Sequence, residues 1–292
     1  MTAGVTIGAV CMHCCHHKER NLRKYERIIH DAGARGVQLL VFPEVSLQGY
    51  LRRVGEDDST SIAEQLRYYR ETSEALDGPT IQLIHHLARQ YNMHIQVGMA
   101  EREENSEAIY NSAVLVGPRG VVGRFRKVHN PFEWPVFSAG ERFEVFETPF
   151  GAVGPLICYD LCYPEAIRTL ALKGALVATV TTAWPMERDE HDDDYFGYTY
   201  DILSRAGAMA NQIWFVQSNQ VMRPPSVGSE HYWGHSRIIA PTGRVVADIG
   251  YAEGIAVATV ELLGEVERVR TESYFGGLNL LADRRPETYL DR

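Results

Sequence analysis

Seven short apolar runs rich in Val and Ile divide the 292-residue chain: Val5–Val10, Val37–Phe42, His94–Met99, Ser112–Val116, Ala152–Ile157, Leu176–Thr181 and Ile213–Gln217. Each has the length and content of a buried strand. Segments of helical period lie between several of them. Leu22, Tyr25, Ile29 and Ala32 recur at spacings of three and four, as do Ile81, Ile84, Ala88 and Tyr91, so each set shares one helix face. Pro79 stands where the second of these helices would begin. A third is predicted from Pro164 to Lys173, closed by Gly174, and a longer one from Tyr198 to Asn211. Turn signals at Pro118–Gly120 and Pro241–Gly243 predict hairpins within Asn111–Arg126 and His235–Val260. Together these predict an α/β chain with mixed sheets covered by helices.

With 45% hydrophobic and 23% charged residues the chain can build a large core, and no linker or repeat divides it, so one domain over 1–292 is expected. The stretch from Thr271 to Arg292 is more polar and is expected to form an arm against a partner subunit. No apolar run of about 18 residues and no signal-peptide pattern is found, which predicts a soluble, cytoplasmic protein that does not enter a membrane. A net charge of −9 argues against nucleic acid, because phosphate binding requires clustered Lys and Arg. Five cysteines are too few for a disulfide scaffold, so free thiols are expected.

Three segments carry chemistry. The run Val37–Phe42 leads into Pro43-Glu44, which sets a carboxylate at the end of a buried strand, where α/β proteins assemble sites. The segment Gly123-Arg-Phe-Arg-Lys-Val-His129 is basic, and would ordinarily be a solvated face. In Gly151-Ala-Val-Gly-Pro-Leu-Ile-Cys-Tyr-Asp-Leu-Cys-Tyr-Pro-Glu165 an apolar strand delivers Cys158 into a turn before a helix. A thiol at such a junction lies close to backbone N–H groups able to receive an oxyanion, although most free cysteines are simply small buried hydrophobes.

In order and spacing these segments resemble the carbon-nitrogen hydrolase (nitrilase-like) family with its Glu-Lys-Cys triad. The resemblance spans almost the whole chain. It rests on Phe42-Pro-Glu44, Arg126-Lys-Val-His129, Ile157-Cys-Tyr-Asp-Leu-Cys-Tyr-Pro-Glu165, Ser204-Arg-Ala-Gly-Ala-Met-Ala-Asn-Gln212, Gly234-His-Ser236, Pro241-Thr-Gly243 and Arg284-Arg-Pro-Glu-Thr-Tyr289. It implies Glu44 as acid and base, Lys127 as the lysine, Cys158 as nucleophile and Glu133, seven residues before Gly140, as a second glutamate. It also implies a four-layer αββα sandwich, no metal or other cofactor, and pairing of subunits through helices into a homodimer or higher homo-oligomer.

On that basis the chain is expected to cleave the C–N bond of a small amide or N-carbamoyl compound through a thioester, releasing ammonia. The backbone N–H of Tyr159 would help to hold the oxyanion. Cys162 and Tyr163 stand where related sequences carry an arginine able to clamp a carboxylate, which predicts a substrate lacking an α-carboxylate. Trp134, Tyr163, Trp184 and Trp233 are expected near the pocket mouth and favour an apolar or aromatic acyl group, though each is equally readable as an ordinary core aromatic. Ala210 stands where the family usually has Glu, leaving Arg205 to pair with Asp160.

Rival readings stay open at this level. Tyr159-Asp160 looks like the amidase branches, with a nitrilase as the runner-up, and transfer of the acyl group to an amine would use the same thioester. Cys11-Met-His-Cys-Cys-His-His17 offers ligand types for a metal-binding or ligand-binding protein but lacks a second ligand pair. The acidic run Glu187–Asp194 is expected to be a solvated face preceding a helix.

Overall fold

The computed structural model describes residues 4–50, 61–130, 133, 135–186, 194–222, 231–272 and 277–289. Strand β1 (Val5–Cys11) shows how its layers arise. Successive side chains point to opposite faces: Val5, Ile7 and Ala9 enter a cluster between two sheets, whereas Val10 enters one beneath helices.

The first sheet continues with β2 (Leu39–Val41), β3 (His94–Arg102), β4 (Ile109–Gly117) and β5 (Gly120–Arg126). The second is built from β6 (Val153–Ile157), β7 (Val177–Thr182) and β8 (Trp214–Asn219). After the small pair β9 (Val221–Met222) and β10 (Tyr232–Trp233), β11 (Arg237–Ile239) and β12 (Val245–Asp248) complete it, and β13 (Gly254–Val260) crosses back to the first. The orders are β13-β1-β2-β3-β4-β5 and β12-β11-β8-β7-β6. Strands β1, β2 and β3 run parallel, as do β6, β7 and β8.

Helices α1 (Lys18–Ala34) and α3 (Pro79–Tyr91) cover the outer face of the first sheet, where Ile29, Ala32, Ile84 and Ala88 pack on Leu40, Ile95 and Val97. Helix α2 (Ile62–Thr72) adds Tyr69, buried beside Phe137. On the far side α4 (Pro164–Leu172) and α5 (Tyr195–Asn211) set Ile167, Leu170 and Ala208 against Leu156, Val180 and Phe215. Between the sheets Ile7, Leu39 and Val41 meet Val153, Val177 and Val216. The result is the expected αββα sandwich. Among the described residues no helix is long and apolar enough to cross a membrane.

Three differences from the sequence reading have physical causes. Helix α2 begins at a capping box, Ser61 with Glu64, a sequence signal overlooked because few buried apolar residues follow it. The segment His235–Val260 forms one hairpin, β11 with β12, because β13 pairs antiparallel with β1 over seven residues instead. The last helix, α6 (Leu262–Thr271), buries Leu262, Val266 and Val269. Beyond it the predicted arm is held in part by its own chain. The Gln212 side chain donates to the Leu278 carbonyl at 2.7 Å and accepts from the Leu280 N–H at 2.9 Å.

Candidate active site

Parallel strands end at one edge of the molecule, and there the two sheets deliver polar groups to each other. After β2 the chain turns at Pro43-Glu44 into Val45, whose φ of 43° is an uncommon conformation for a β-branched residue. The turn is clamped from both sides. The Tyr25 ring of α1 stacks on Phe42 at 3.7 Å, and its hydroxyl pairs with Ser46 Oγ, which in turn donates to the Pro43 carbonyl. Gly98 of β3 lies so close beneath that a Cβ there would stand 1.9 Å from the Pro43 carbonyl oxygen.

Glu44 is fully buried. Its Oε1 accepts from Lys127 Nζ at 2.7 Å and Asn111 Nδ2 at 2.8 Å, while its Oε2 accepts from the Ala183 N–H at 2.8 Å. Lys127 directly follows β5. Its N–H donates to the Asn111 carbonyl and its own carbonyl accepts from Gly140, so the backbone is fixed on both sides. Lys127 Nζ also reaches Glu133 Oε1 at 2.8 Å, which accepts further bonds from Tyr50 Oη at 2.6 Å and Asn111 Nδ2 at 3.1 Å. Glu133 Oε2 is buried with no hydrogen-bond partner among the described residues.

Cys158 opens a short 3-10 turn, Cys158–Cys162, directly after β6, with φ of 44°. Non-glycine residues in this region are strained by about 1–3 kcal/mol and persist only where their surroundings hold them. The holder here is Asp160. Its carboxylate, buried at the base of the turn, accepts from the Ile157 N–H at 3.3 Å, the His129 N–H at 3.1 Å and His129 Nδ1 at 2.7 Å. The elbow carrying the thiol is thereby tied to the loop carrying the lysine. Arg205 has no part in this, contrary to the pairing expected from sequence: it bonds Asp201 one helical turn away and the Gly243 carbonyl.

Charge is distributed unevenly among these groups. Burial works against the Lys127 ammonium, but the Glu133 and Glu44 carboxylates outweigh it and hold the amine well above its usual range. Burial raises the Glu133 carboxyl, opposed by Lys127 and assisted by Glu44. Burial and then the negative Glu44 push the Cys158 thiol well up, against Lys127 and the Ala183 N–H, which favour the thiolate. On balance these surroundings favour the neutral Cys158 thiol over its thiolate.

A cavity of about 670 Å³ opens over Cys158, Lys127 and Glu133. Its far wall is Trp184 and Pro185 after β7, with Phe196, Ile202 and Leu203 on one face of α5. Tyr159 and Cys162 line it as well. Tyr163 does not: its ring stacks on His129 at 3.7 Å, outside the lining. Trp233 also lies off the cavity, packed beside Gly197 at the start of α5, where a Cβ would meet its ring at 2.5 Å. Trp134 and residues 187–193 fall outside the described residues; Asp194 caps α5 by accepting from the Gly197 N–H.

Tyr50, Asn111 and Ala183 were not singled out from sequence. Asn111 stands just before the predicted run Ser112–Val116, and nothing in its local pattern marks it. The Cys/His segment at 11–17 disperses its side chains: Cys14 Sγ turns to the Met12 carbonyl and Cys15 Sγ to Asn21 Oδ1. Among the described residues no group of three His, Cys, Asp or Glu side chains could hold a metal ion.

Comparison with known proteins agrees with this architecture. A crystal structure of a carbon-nitrogen hydrolase from Helicobacter pylori superposes with a TM-score of 0.79 at 22% identity, covering 98% of this chain and 97% of that one. A probable nitrilase of Schizosaccharomyces pombe is 32% identical over 277 residues, 93% of this chain and 92% of the relative. An N-carbamoylputrescine amidase of Solanum tuberosum is 28% identical over 299 residues, 98% and 93% of the two chains. The family model for carbon-nitrogen hydrolases matches residues 6–270. The chain therefore belongs to the carbon-nitrogen hydrolase family, whose members act on C–N bonds.

Proposed function

We propose that the protein hydrolyses a small, uncharged amide with an apolar or aromatic acyl group, using Cys158 as nucleophile. The supporting observation is that one cavity joins Cys158, Lys127 and Glu133, with Glu44 bonded to Lys127 behind them, to a wall of Trp184, Phe196, Ile202 and Leu203. Lys127 is the one cation among the described lining residues and is already engaged by two carboxylates, so an acidic acyl group finds no free partner.

Glu44 takes the thiol proton as Cys158 attacks the carbonyl carbon. The oxyanion forms against the Lys127 ammonium and the Tyr159 N–H, in a site that excludes most water and so strengthens each donor. Glu44 then protonates the leaving nitrogen, the C–N bond breaks, and a thioester remains. Water activated by Glu44, with Glu133 holding Lys127 in place, releases the acid. Ammonia is the other product.

Intact-mass spectrometry after addition of a simple aliphatic or aryl amide checks this: an acyl adduct on Cys158 is expected, with ammonia released in step. Full activity in Cys158→Ala, or a strong preference for glutamine-like acidic amides, would overturn it. The similarity to a probable nitrilase favours a second reading in which the same thiol attacks a nitrile. Nitriles in the same ammonia assay decide between the two.

We also propose a homodimer through α5. Tyr198 and Met209 on this helix are 58% and 53% exposed, and an apolar helix face is stable in water chiefly when another surface covers it.

A further inference from the structure

Asn111 is the third residue of β4 and is almost fully buried. Its one amide nitrogen donates to Glu44 Oε1 and Glu133 Oε1, the same two atoms that receive Lys127 Nζ. Two donors and two acceptors thus form a closed ring. The orientation of the amide follows from charge, since a flipped Asn111 would press its carbonyl oxygen against two carboxylate oxygens.

We infer that Asn111 is a positioning residue that decides which oxygen of Glu44 handles the proton, occupying Oε1 together with Lys127 and so reserving Oε2 for exchange with Cys158. This rests on the amide hydrolysis proposed above. A carboxylate oxygen offers about two lone-pair sites. On Oε1 both are filled, at 2.7 Å and 2.8 Å. Among the described residues Oε2 receives only the Ala183 N–H, and that same N–H faces the Cys158 sulfur. The remaining lone-pair site is therefore on Oε2, the oxygen that shares the Ala183 N–H with Cys158. When the S–H bond breaks, its electron pair stays on sulfur and the proton forms an O–H bond at Oε2. The same proton later passes from Oε2 to the departing nitrogen. Oε1 keeps its hold on Lys127 and Asn111 through the cycle, so the ammonium stays aimed at the oxyanion while the base changes charge.

The test separates this role from turnover by following alkylation of Cys158 with iodoacetamide across pH, with the modified residue identified by peptide mass because Cys162 lines the same cavity. The groups that face Glu44 are Lys127, Asn111 and Ala183 N–H, with Cys158 and Glu133 adding charge. A carboxylate that loses a donor holds its proton more tightly, so less of the base is free at low pH. In Asn111→Ala the acidic limb of the alkylation rate is expected to move to higher pH. Asn111→Ser keeps a hydroxyl donor and should shift less; its limb decides the matter if the alanine variant does not fold. A limb that stays in place while the rate falls uniformly would make Asn111 a packing residue and overturn the assignment. Absence of an acyl adduct in the wild type would instead sink the hydrolysis reading, whatever the alkylation profile does.

Discussion

At the scale of single residues, the site concentrates two carboxylates, a thiol and one ammonium with little water, and its balance depends on Lys127. Replacing Lys127 with Met removes the shared partner of Glu44 and Glu133 at once. Two consequences are expected. Turnover falls roughly 100-fold or more, as for a lost oxyanion donor, measured as the initial rate of ammonia release. The protein also loses about 3–5 kcal/mol of stability, the usual result of stripping one partner from a buried ion pair, seen in denaturant melts. An activity loss without any change in stability would mean that the two carboxylates were not relying on that charge. Glu44, Lys127 and Cys158 each follow a recognisable strand pattern, whereas Glu133, in the loop after β5, came only from the family resemblance. Tyr50 and Asn111 were not legible from sequence, because nothing local distinguishes a phenol or an amide that bonds a carboxylate from one that bonds water or backbone.

At the scale of elements, strand ends and tight turns aim these groups, and Gly98 is the tightest contact among them. A Cβ at that position would lie 1.9 Å from the Pro43 carbonyl oxygen and 3.1 Å from the Val45 nitrogen, both backbone atoms that cannot rotate away. Gly98→Ala is therefore expected to push the Glu44 turn off β3, costing about 1–3 kcal/mol of stability and lowering the rate of Cys158 acylation tenfold or more. Thermal melts with a single-turnover assay check it; unchanged acylation would show that the turn tolerates displacement. Most elements were readable from period and punctuation. Pro79 and Pro164 do open helices, and Pro118–Gly120 does turn a hairpin. The misplacement of β13 has a physical cause as well. Its apolar alternation is equally suited to a hairpin with β12 or to the exposed edge of β1, and only the layers beneath decide.

At the scale of the whole molecule, the apolar outer face of α5 leaves a surface that a second copy would cover. Met209→Asp and Tyr198→Asp are expected to convert a dimer to a monomer in light scattering, and a wild-type protein already monomeric at micromolar concentration would remove the proposal. The same helix turns Phe196, Ile202 and Leu203 toward the cavity, so the proposed association and the proposed substrate fit would share one element. The sequence by itself determined the α/β character, the family and the four side chains expected to carry the chemistry, since strand period, proline and glycine punctuation and motif order are local properties. Tertiary structure alone decided the rest: that Asn111 bridges two carboxylates, that Asp160 holds His129 rather than Arg205, that Tyr163 faces a histidine rather than the cavity. These contacts join residues far apart in the chain, and a polar side chain's partner is fixed only when packing has excluded water and left one group within reach.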